Sequence, residues 1–184
     1  MPEGDSDHGA EAARPAAVIF DRDGVLNIDH GYVGQVERLD WTPGARRAVA
    51  RLNAQGTLVI VATNQSGVAR GYFDMAAVEA VHAAMCADLA AEGGHLDAIY
   101  VCPFHEDAVV DAWRAADHPD RKPNPGMILR ALADFRLDPD RVILVGDKPS
   151  DLEAARRAGV RGALFGGGDL AEFLRAEALL PVSP

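Results

Sequence analysis

The sequence predicts an α/β domain with a doubly wound parallel sheet, and three observations predict it. First, five short apolar runs recur along the chain, at residues 16–21, 57–64, 98–103, 141–147 and 162–166. Second, these runs are continuous rather than alternating, which is typical of strands covered by helices on both faces. Third, helical patterns separate the runs, and alternating strands and helices form parallel sheets with right-handed crossovers.

The helical segments between the runs have recognisable ends. Their predicted starts carry residues that open or cap a helix: Thr42-Pro43, Asp74, Asn124-Pro125, Ser150 and Asp169. The predicted stops of the first, second and fourth helices share glycine: Gly56, Gly93-Gly94 and Gly159. Ser150 followed by Glu153 has the spacing of a capping box, which predicts that the fourth helix begins at Ser150.

Length and charge limit the possible functions. A chain of 184 residues suits one domain, expected at 16–184, preceded by a flexible tail at 1–15. The formal net charge of -10 repels phosphate backbones, so nucleic acid is not expected as a partner. Any site for a small phosphorylated metabolite therefore needs local cations.

The expected compartment is the cytoplasm. Two cysteines, Cys86 and Cys102, argue against a disulfide framework. The first residues lack the apolar region of a secretory signal. No apolar run is nearly as long as the about 18 residues that a membrane-spanning helix needs. We expect a monomer that does not bind membranes.

Three strand ends carry polar residues with matched chemistry. Asp21, Thr63 and Asp147 each end an apolar run. Ligand sites in open parallel sheets lie beyond the carboxyl ends of the strands, so these residues are expected to converge there. The alternative is that these three residues only cap strand ends that face solvent and form no common site.

The segment DRDG at residues 21–24 suits phosphoryl transfer. Asp21 can attack phosphorus and form an aspartyl-phosphate. Asp23 can protonate the leaving alkoxide and later deprotonate the hydrolytic water. Two acids would repel a phosphate without a cation, and Asp147 would complete a Mg²⁺ site with Asp21 and the Asp23 carbonyl. Asp151 could support that site or only start a helix.

Two further segments supply groups that can bind phosphate. The segment TNQSG at 63–67 offers a hydroxyl and loop amides. The segment DRKPNPG at 120–126 offers Lys122 as a point charge for the transferred phosphoryl group. Arg121 suits a carboxylate, a hydroxyl pair or a second phosphate, although both cations could also be a solvated pair before a helix.

The order DRDG, TNQSG, RKP, GDKPSD resembles the haloacid dehalogenase superfamily of phosphatases, over about residues 16–167. The longer segments DRDGVLNIDHGYV and TNQSGVARGYF resemble the branch that contains heptose bisphosphate and histidinol-phosphate phosphatases. The resemblance implies a Rossmann-like fold and Mg²⁺-dependent removal of phosphate from small metabolites. The heptose enzymes are the nearer match, which implies removal of the 7-phosphate of D-glycero-D-manno-heptose 1,7-bisphosphate.

The resemblance also assigns roles to residues of this chain. Asp21 would be the nucleophile and Asp23 the acid/base, with Asp21, Asp23 and Asp147 on Mg²⁺. The implied substrate-binding residues share positions in the matching motifs: Asp29, Thr63, Asn64, Gln65, Ser66, Arg121 and Lys122. Histidinol-phosphate phosphatase is the alternative enzyme. A phosphate-binding regulatory module without turnover is the alternative outside enzymes, and the presence of both acids argues against it.

One segment departs from the family. Relatives carry a zinc loop before the Arg-Lys pair, whereas Phe104 stands here at its histidine position and no later cysteines follow Cys102. A substitute zinc set would consist of Cys102, His105, His118 and Asp120. A metal-free loop held by Phe104, Trp113 and prolines is the favoured interpretation.

No separate cap domain is expected. The segments between Asp23 and Thr63 and between Asn64 and Arg121 are largely occupied by the predicted elements and loops. The site should therefore be open and able to accept an extended substrate.

Overall fold

The computed structural model of the protein describes residues 14–180. The expected tail at residues 1–15 therefore lies almost entirely outside the described residues. Within the described part, five strands form one sheet: β1 (Ala17–Phe20), β2 (Leu58–Asn64), β3 (Ala98–Cys102), β4 (Val142–Gly146) and β5 (Arg161–Leu164). All neighbouring strands pair in parallel, in the order β3-β2-β1-β4-β5. The predicted parallel sheet is confirmed.

Helices cover both faces of the sheet. They are α1 (Ala45–Ala54), α2 (Met75–Ala91), α3 (Gly126–Asp134), α4 (Pro149–Ala158) and α5 (Leu170–Ala176). One core contains Val18 and Phe20 of β1 together with residues of α1, α2 and α5. The other contains Ala17 and Ile19 together with residues of α3 and α4. Successive residues of β1 point into opposite cores, so the doubly wound architecture is also confirmed.

The central apolar strands are continuous because neither of their faces meets water, whereas in β5, at the edge of the sheet, only Ala163 is buried. Every residue of β1 and of β4 is buried. Full burial of a side chain such as Ile19 or Phe20 stabilises the fold by roughly 1.5–3 kcal/mol. A polar residue just after such a strand is consequently held by a rigid support.

The start of α4 differs from the prediction. Ser150 and Glu153 do not form a capping box. The helix begins at Pro149, and Asp151 Oδ2 accepts a hydrogen bond from Lys148 N at 3.0 Å. Glu153 instead forms ion pairs with Arg156 and Arg157, 2.7 Å away in each case, because those residues lie one turn later on the same helix face.

The other helix ends lie close to their signals. Asp74 caps α2 as expected, with Oδ1 accepting from Ala77 N at 2.9 Å. Helix α1 begins at Ala45 rather than at Thr42-Pro43, because Gly44 first turns the chain through a left-handed conformation with φ of 74°.

The open site expected from the sequence is also present. In the described residues, only the 3-10 turn Val36–Arg38 lies between β1 and α1, and only the turn Asp111–Trp113 lies between β3 and α3. Neither segment contains a cap domain. No described helix combines the length and the apolar character needed to cross a membrane.

Candidate active site

The polar residues at the strand ends meet at one edge of the sheet. Strands β2, β1 and β4 are adjacent, and their register pairs Phe20 with both Val61 and Val145. Asp21 N continues this ladder by donating to Val145 O at 2.9 Å. Asp21 and Asp147 therefore follow neighbouring parallel strands, as the sequence predicts.

A cavity of about 440 Å³ opens at this edge. Its lining includes six of the seven residues expected around the substrate, together with both acids of the DRDG segment: Asp21, Asp23, Asp29, Asn64, Gln65, Ser66, Arg121 and Lys122. The seventh, Thr63, is fully buried beside the cavity, where its hydroxyl accepts from Gln65 Nε2 at 2.9 Å. Thr63 thus contacts a residue of the cavity wall.

Asp21 is paired with a buried lysine. Lys122 Nζ lies 2.9 Å from Asp21 Oδ1 and 2.6 Å from Asp151 Oδ1, and the lysine side chain is 2% exposed. Burial raises the pKa of Asp21; Lys122 opposes this rise and Asp151 adds to it. Burial alone would lower the pKa of Lys122, but the two carboxylates raise it, so the lysine stays charged.

Asn64 holds Lys122 in place through the main chain. Its Nδ2 donates to Lys122 O at 3.0 Å, and its Oδ1 accepts from Lys122 N at 3.1 Å. This pair of hydrogen bonds links the end of β2 to a loop that precedes α3. It explains how a residue outside the sheet reaches Asp21.

Three carboxylates form a cluster that could hold a metal ion. Ligand atoms of Asp21, Asp147 and Asp151 lie within 4.8 Å of one another. Burial raises the pKa of Asp147, an effect that Lys148 opposes and Asp151 increases. Asp147 Oδ1 is buried without a hydrogen-bond partner among the described residues. An unpaired buried carboxylate oxygen in an all-oxygen cluster fits Mg²⁺, which prefers oxygen ligands.

Gly24 makes room for this cluster. Its φ is 87°, and a Cβ at this position would lie 2.3 Å from Asp147 Oδ2. A side chain here would therefore be strained and would displace a carboxylate of the cluster.

Asp23 is held by three neighbouring side chains. Arg22 Nη2 lies 3.0 Å from Asp23 Oδ2, Asn27 Nδ2 donates to Oδ1 at 2.9 Å, and Gln65 Nε2 donates to Oδ2 at 2.8 Å. These contacts fix the carboxylate beside Asp21 in the cavity wall.

The rim of the cavity carries residues that the sequence reasoning did not single out. Lys148 lines it and lies 3.3 Å from Asp29 Oδ2 and 3.8 Å from Asp147 Oδ2. Tyr32 also lines it, and its ring packs edge-on against Tyr72, with centroids 4.8 Å apart. Lys148 directly follows Asp147 in the sequence, so its place at the same strand end could have been predicted.

Aromatic contacts help to hold the loop before α3. The rings of Phe104 and His118 are stacked at 3.9 Å, and Phe104 meets Trp113 edge-on at 5.3 Å. Arg121 Nη1 donates to Phe104 O at 3.1 Å. The stack therefore supports the carbonyl that positions Arg121 at the cavity.

The substitute zinc set is not gathered into one group in the described chain. Cys102 Sγ lies 4.0 Å from His118 Nδ1, while His105 Nε2 lies 3.2 Å from Arg70 Nη2. Asp120 pairs with Arg130 at 3.0 Å. Across residues 14–180, the one cluster of three or more potential metal-ligating residues is the acidic one beside Asp21.

Comparison with known proteins places the chain among phosphatases. A family model described as HAD-hydrolase-like matches residues 120–178. The chain is 44% identical over 167 residues to the D-glycero-beta-D-manno-heptose-1,7-bisphosphate 7-phosphatase of Rhodopseudomonas palustris, covering 90% of this chain and 92% of that one. It is 45% identical to the D-glycero-D-manno-heptose-1,7-bisphosphate 7-phosphatase of Thermosynechococcus vestitus, covering 82% and 78%.

A solved structure with a similar fold contains ligands. The D,D-heptose 1,7-bisphosphate phosphatase of B. bronchiseptica, complexed with magnesium and phosphate, is 38% identical and superposes with a TM-score of 0.75. The match covers 90% of this chain and 88% of that one.

Proposed function

Because this chain belongs to the haloacid dehalogenase-like hydrolases, in the branch of the heptose bisphosphate phosphatases, we propose that it removes the 7-phosphate of D-glycero-D-manno-heptose 1,7-bisphosphate. The chain is a phosphatase, and the substrate is the proposed part. The identity of 44–45% to heptose bisphosphate phosphatases carries the proposed substrate. The phosphatase chemistry rests on the buried Asp21 carboxylate, which lines an open cavity 2.9 Å from Lys122 and beside Asp23.

Asp21 is the nucleophile in the proposed reaction. One of its oxygens attacks the phosphorus, and the bond between phosphorus and the sugar oxygen breaks. The electron pair of that bond goes to the leaving oxygen. Lys122 stabilises the charge on the phosphoryl oxygens, because its ammonium is buried beside Asp21 and already oriented before the substrate binds.

Asp23 transfers the protons. It protonates the leaving sugar oxygen in the first step and then takes a proton from the water that attacks the aspartyl-phosphate. That second attack releases inorganic phosphate and restores the Asp21 carboxylate. Asn27 and Gln65 keep Asp23 close to the reacting atoms through the hydrogen bonds described above.

Mg²⁺ fits the acidic cluster, and relatives of this fold include a complex with magnesium. Asp21, Asp147 and Asp151 would hold it, and the Asp23 carbonyl is the further ligand expected from the DRDG segment. When bound, the ion neutralises the repulsion between the acids and the phosphate and polarises the phosphoryl group. The unpaired Asp147 Oδ1 supports this assignment.

The second phosphate of the substrate would contact the cationic rim. Arg121 and Lys148 both line the cavity, and each brings a positive charge to a chain whose formal net charge is -10. Arg121 is the better match for a phosphate because its planar guanidinium can donate two parallel hydrogen bonds. An open cavity leaves room for the extended bisphosphate.

We also propose that residues 16–184 act as one domain in a cytoplasmic monomer. Cys86 and Cys102 are both free thiols, which suits a reducing compartment. Light scattering during gel filtration tests the monomer, and fractionation of cells with an antibody tests the location.

A substrate panel tests the function. Phosphate release should be compared for the heptose 1,7-bisphosphate, histidinol phosphate and fructose 1,6-bisphosphate. We expect kcat/KM for the heptose to exceed the others by at least about tenfold. Asp21→Asn should lose at least about 10³-fold in kcat, whereas Asp111→Asn, at an exposed position of the 3-10 turn Asp111–Trp113, should not change it.

Each alternative gives a different result. Preference for histidinol phosphate would assign the other substrate to the same chemistry. Binding of phosphate esters without turnover would identify a regulatory module instead. Normal activity in Asp21→Asn would exclude the covalent mechanism.

A further inference from the structure

Arg22 is a fully buried arginine that the proposed reaction does not use directly. It is 0% exposed and is not among the residues that line the cavity. Its Nη2 donates to Val33 O at 2.6 Å and to Gln65 Oε1 at 3.1 Å. Its Nε and Nη2 also donate to Asp23 Oδ1, at 3.2 and 3.0 Å. The guanidinium thus connects Asp23 to two other segments of the chain.

His82 contacts the guanidinium at Nη1, the nitrogen that does not bind Asp23. It lies in α2, is 8% exposed, and has its Nε2 atom 3.3 Å from Arg22 Nη1. Burial and the charge of Arg22 lower the pKa of His82 to about 4. The imidazole is therefore neutral near pH 7, and a neutral ring can accept a hydrogen bond from Arg22 at Nε2 while Nδ1 carries the proton.

The contacts of Arg22 constrain the orientation of its side chain. A planar guanidinium has its N–H bonds in fixed directions, so acceptors on both sides determine its rotation. Arg22 reaches both oxygens of the Asp23 carboxylate, and His82 binds the nitrogen that Asp23 does not use. Loss of the His82 acceptor would leave one buried N–H without that partner and would favour a shift of the guanidinium.

We propose that Arg22, supported by His82, is a positioning residue that holds Asp23 for proton transfer to the leaving oxygen. The inference rests on the proposed function, because it assumes the acid role of Asp23. A purely structural role would stabilise the fold without favouring one class of substrate. A positioning role acts mainly where the leaving group needs its proton.

Phosphate esters with poor and with good leaving groups distinguish a positioning role from a purely structural one. A sugar or alkyl oxygen is a poor leaving group and depends on the general acid, whereas p-nitrophenolate leaves readily without it. The parameter to compare is kcat/KM, which covers the steps up to loss of the leaving group and excludes hydrolysis of the aspartyl-phosphate. Both types of ester should be measured with each variant under saturating Mg²⁺.

His82→Leu removes the acceptor at similar volume, and His82→Gln keeps an acceptor. We expect His82→Leu to lower kcat/KM about tenfold or more for the alkyl or sugar phosphate and less than about threefold for p-nitrophenyl phosphate. His82→Gln should recover most of the loss. His95→Leu, at a histidine with a 62% exposed side chain, serves as the control and should change neither value.

Arg22→Lys provides a second test if His82→Leu folds poorly. Lysine keeps the positive charge but lacks the planar guanidinium that binds both oxygens of Asp23. This variant should show the same selective loss. An equal loss for both esters, or no loss for either, in the folded variants would overturn the inference. If wild-type protein released no phosphate, or Asp21→Asn retained activity, the proposed function itself would fail, so the two failures are distinguishable.

Discussion

Lys122→Met should destabilise the protein strongly in the absence of divalent metal. The ammonium lies 2.9 Å from Asp21 and 2.6 Å from Asp151, and all three side chains are less than a tenth exposed. At an effective dielectric constant of about 20, each contact supplies a gross attraction of roughly 6 kcal/mol, much of which desolvation offsets. Removing one member of such a buried pair typically costs about 3–5 kcal/mol, because the remaining charges lose their compensation.

Mg²⁺ should reduce this loss. Without Lys122, the carboxylates of Asp21, Asp147 and Asp151 lose their nearest buried cation, so they should bind a divalent cation more tightly. Tighter binding to the folded state stabilises it further, by about 2.7 kcal/mol when the free ion is at 100 times its dissociation constant. The gain in stability on adding Mg²⁺ should therefore be larger in the variant than in the wild type.

Thermal and urea unfolding, with EDTA or with Mg²⁺, measure both effects. A loss of about 3–5 kcal/mol corresponds to a decrease in Tm of about 6–20 °C for a domain of this size. Lys148→Met is the matched control: its side chain is 51% exposed, so we expect a change of about 0–1 kcal/mol. Equal stability of Lys122→Met and wild type in EDTA, or equal gains with Mg²⁺, would refute the reasoning.

Three further predictions concern pH, magnesium and the loop before α3. Protonation of His82 favours the unfolded state, because its folded pKa of about 4 lies below its ordinary value of 6.5. Its contribution should be complete above about pH 6.5 and should decline by at most about 3 kcal/mol as the pH falls towards 4; an unchanged acid dependence of unfolding in His82→Gln would contradict this. EDTA should abolish phosphatase activity and Mg²⁺ should restore it, with Asp147→Ala needing much more Mg²⁺; full activity in metal-free buffer would exclude the metal site. Elemental analysis should find well under one zinc per chain, and Cys102→Ser and His118→Ala should fold with losses within about 1–2 kcal/mol; stoichiometric zinc that survives dialysis would instead support a site formed with His105 and Asp120.

The sequence predicted the elements that follow from local patterns. Continuous apolar runs identify buried strands wherever both faces of a sheet are covered, and β1 and β4 are fully buried as expected. The convergence of Asp21 and Asp147 followed from the rule that parallel strands end at the same edge. Both inferences need only sequence spacing and sheet geometry.

The start of α4 shows where a local rule gave the wrong answer. The spacing of Ser150 and Glu153 fits a capping box, but Asp151 accepts from Lys148 N and also pairs with Lys122. The pairing with Lys122 depends on a loop that is distant in sequence. A pattern within four residues could not reveal it.

Arg22 and His82 were missed for a related reason. Arginine is seldom fully buried, so an arginine in a sequence is normally predicted to lie on the surface. Its partners are Asp23, Val33, Gln65 and His82, and the last lies 60 residues away in the sequence. The packing of α2 into the core that also contains Val18 and Phe20 of β1 brings His82 to Arg22.

The placement of the site divides its residues into two groups that can diverge at different rates. Asp21 and Asp147 extend from adjacent strands that are buried on both faces, so substitutions beneath them are poorly tolerated. Asp29, Tyr32 and Arg121 come from loops at the rim. Mutational drift in those loops would alter which sugar or side chain is accepted while leaving phosphoryl transfer intact. The fold thus allows new substrate ranges to evolve without an inactive intermediate.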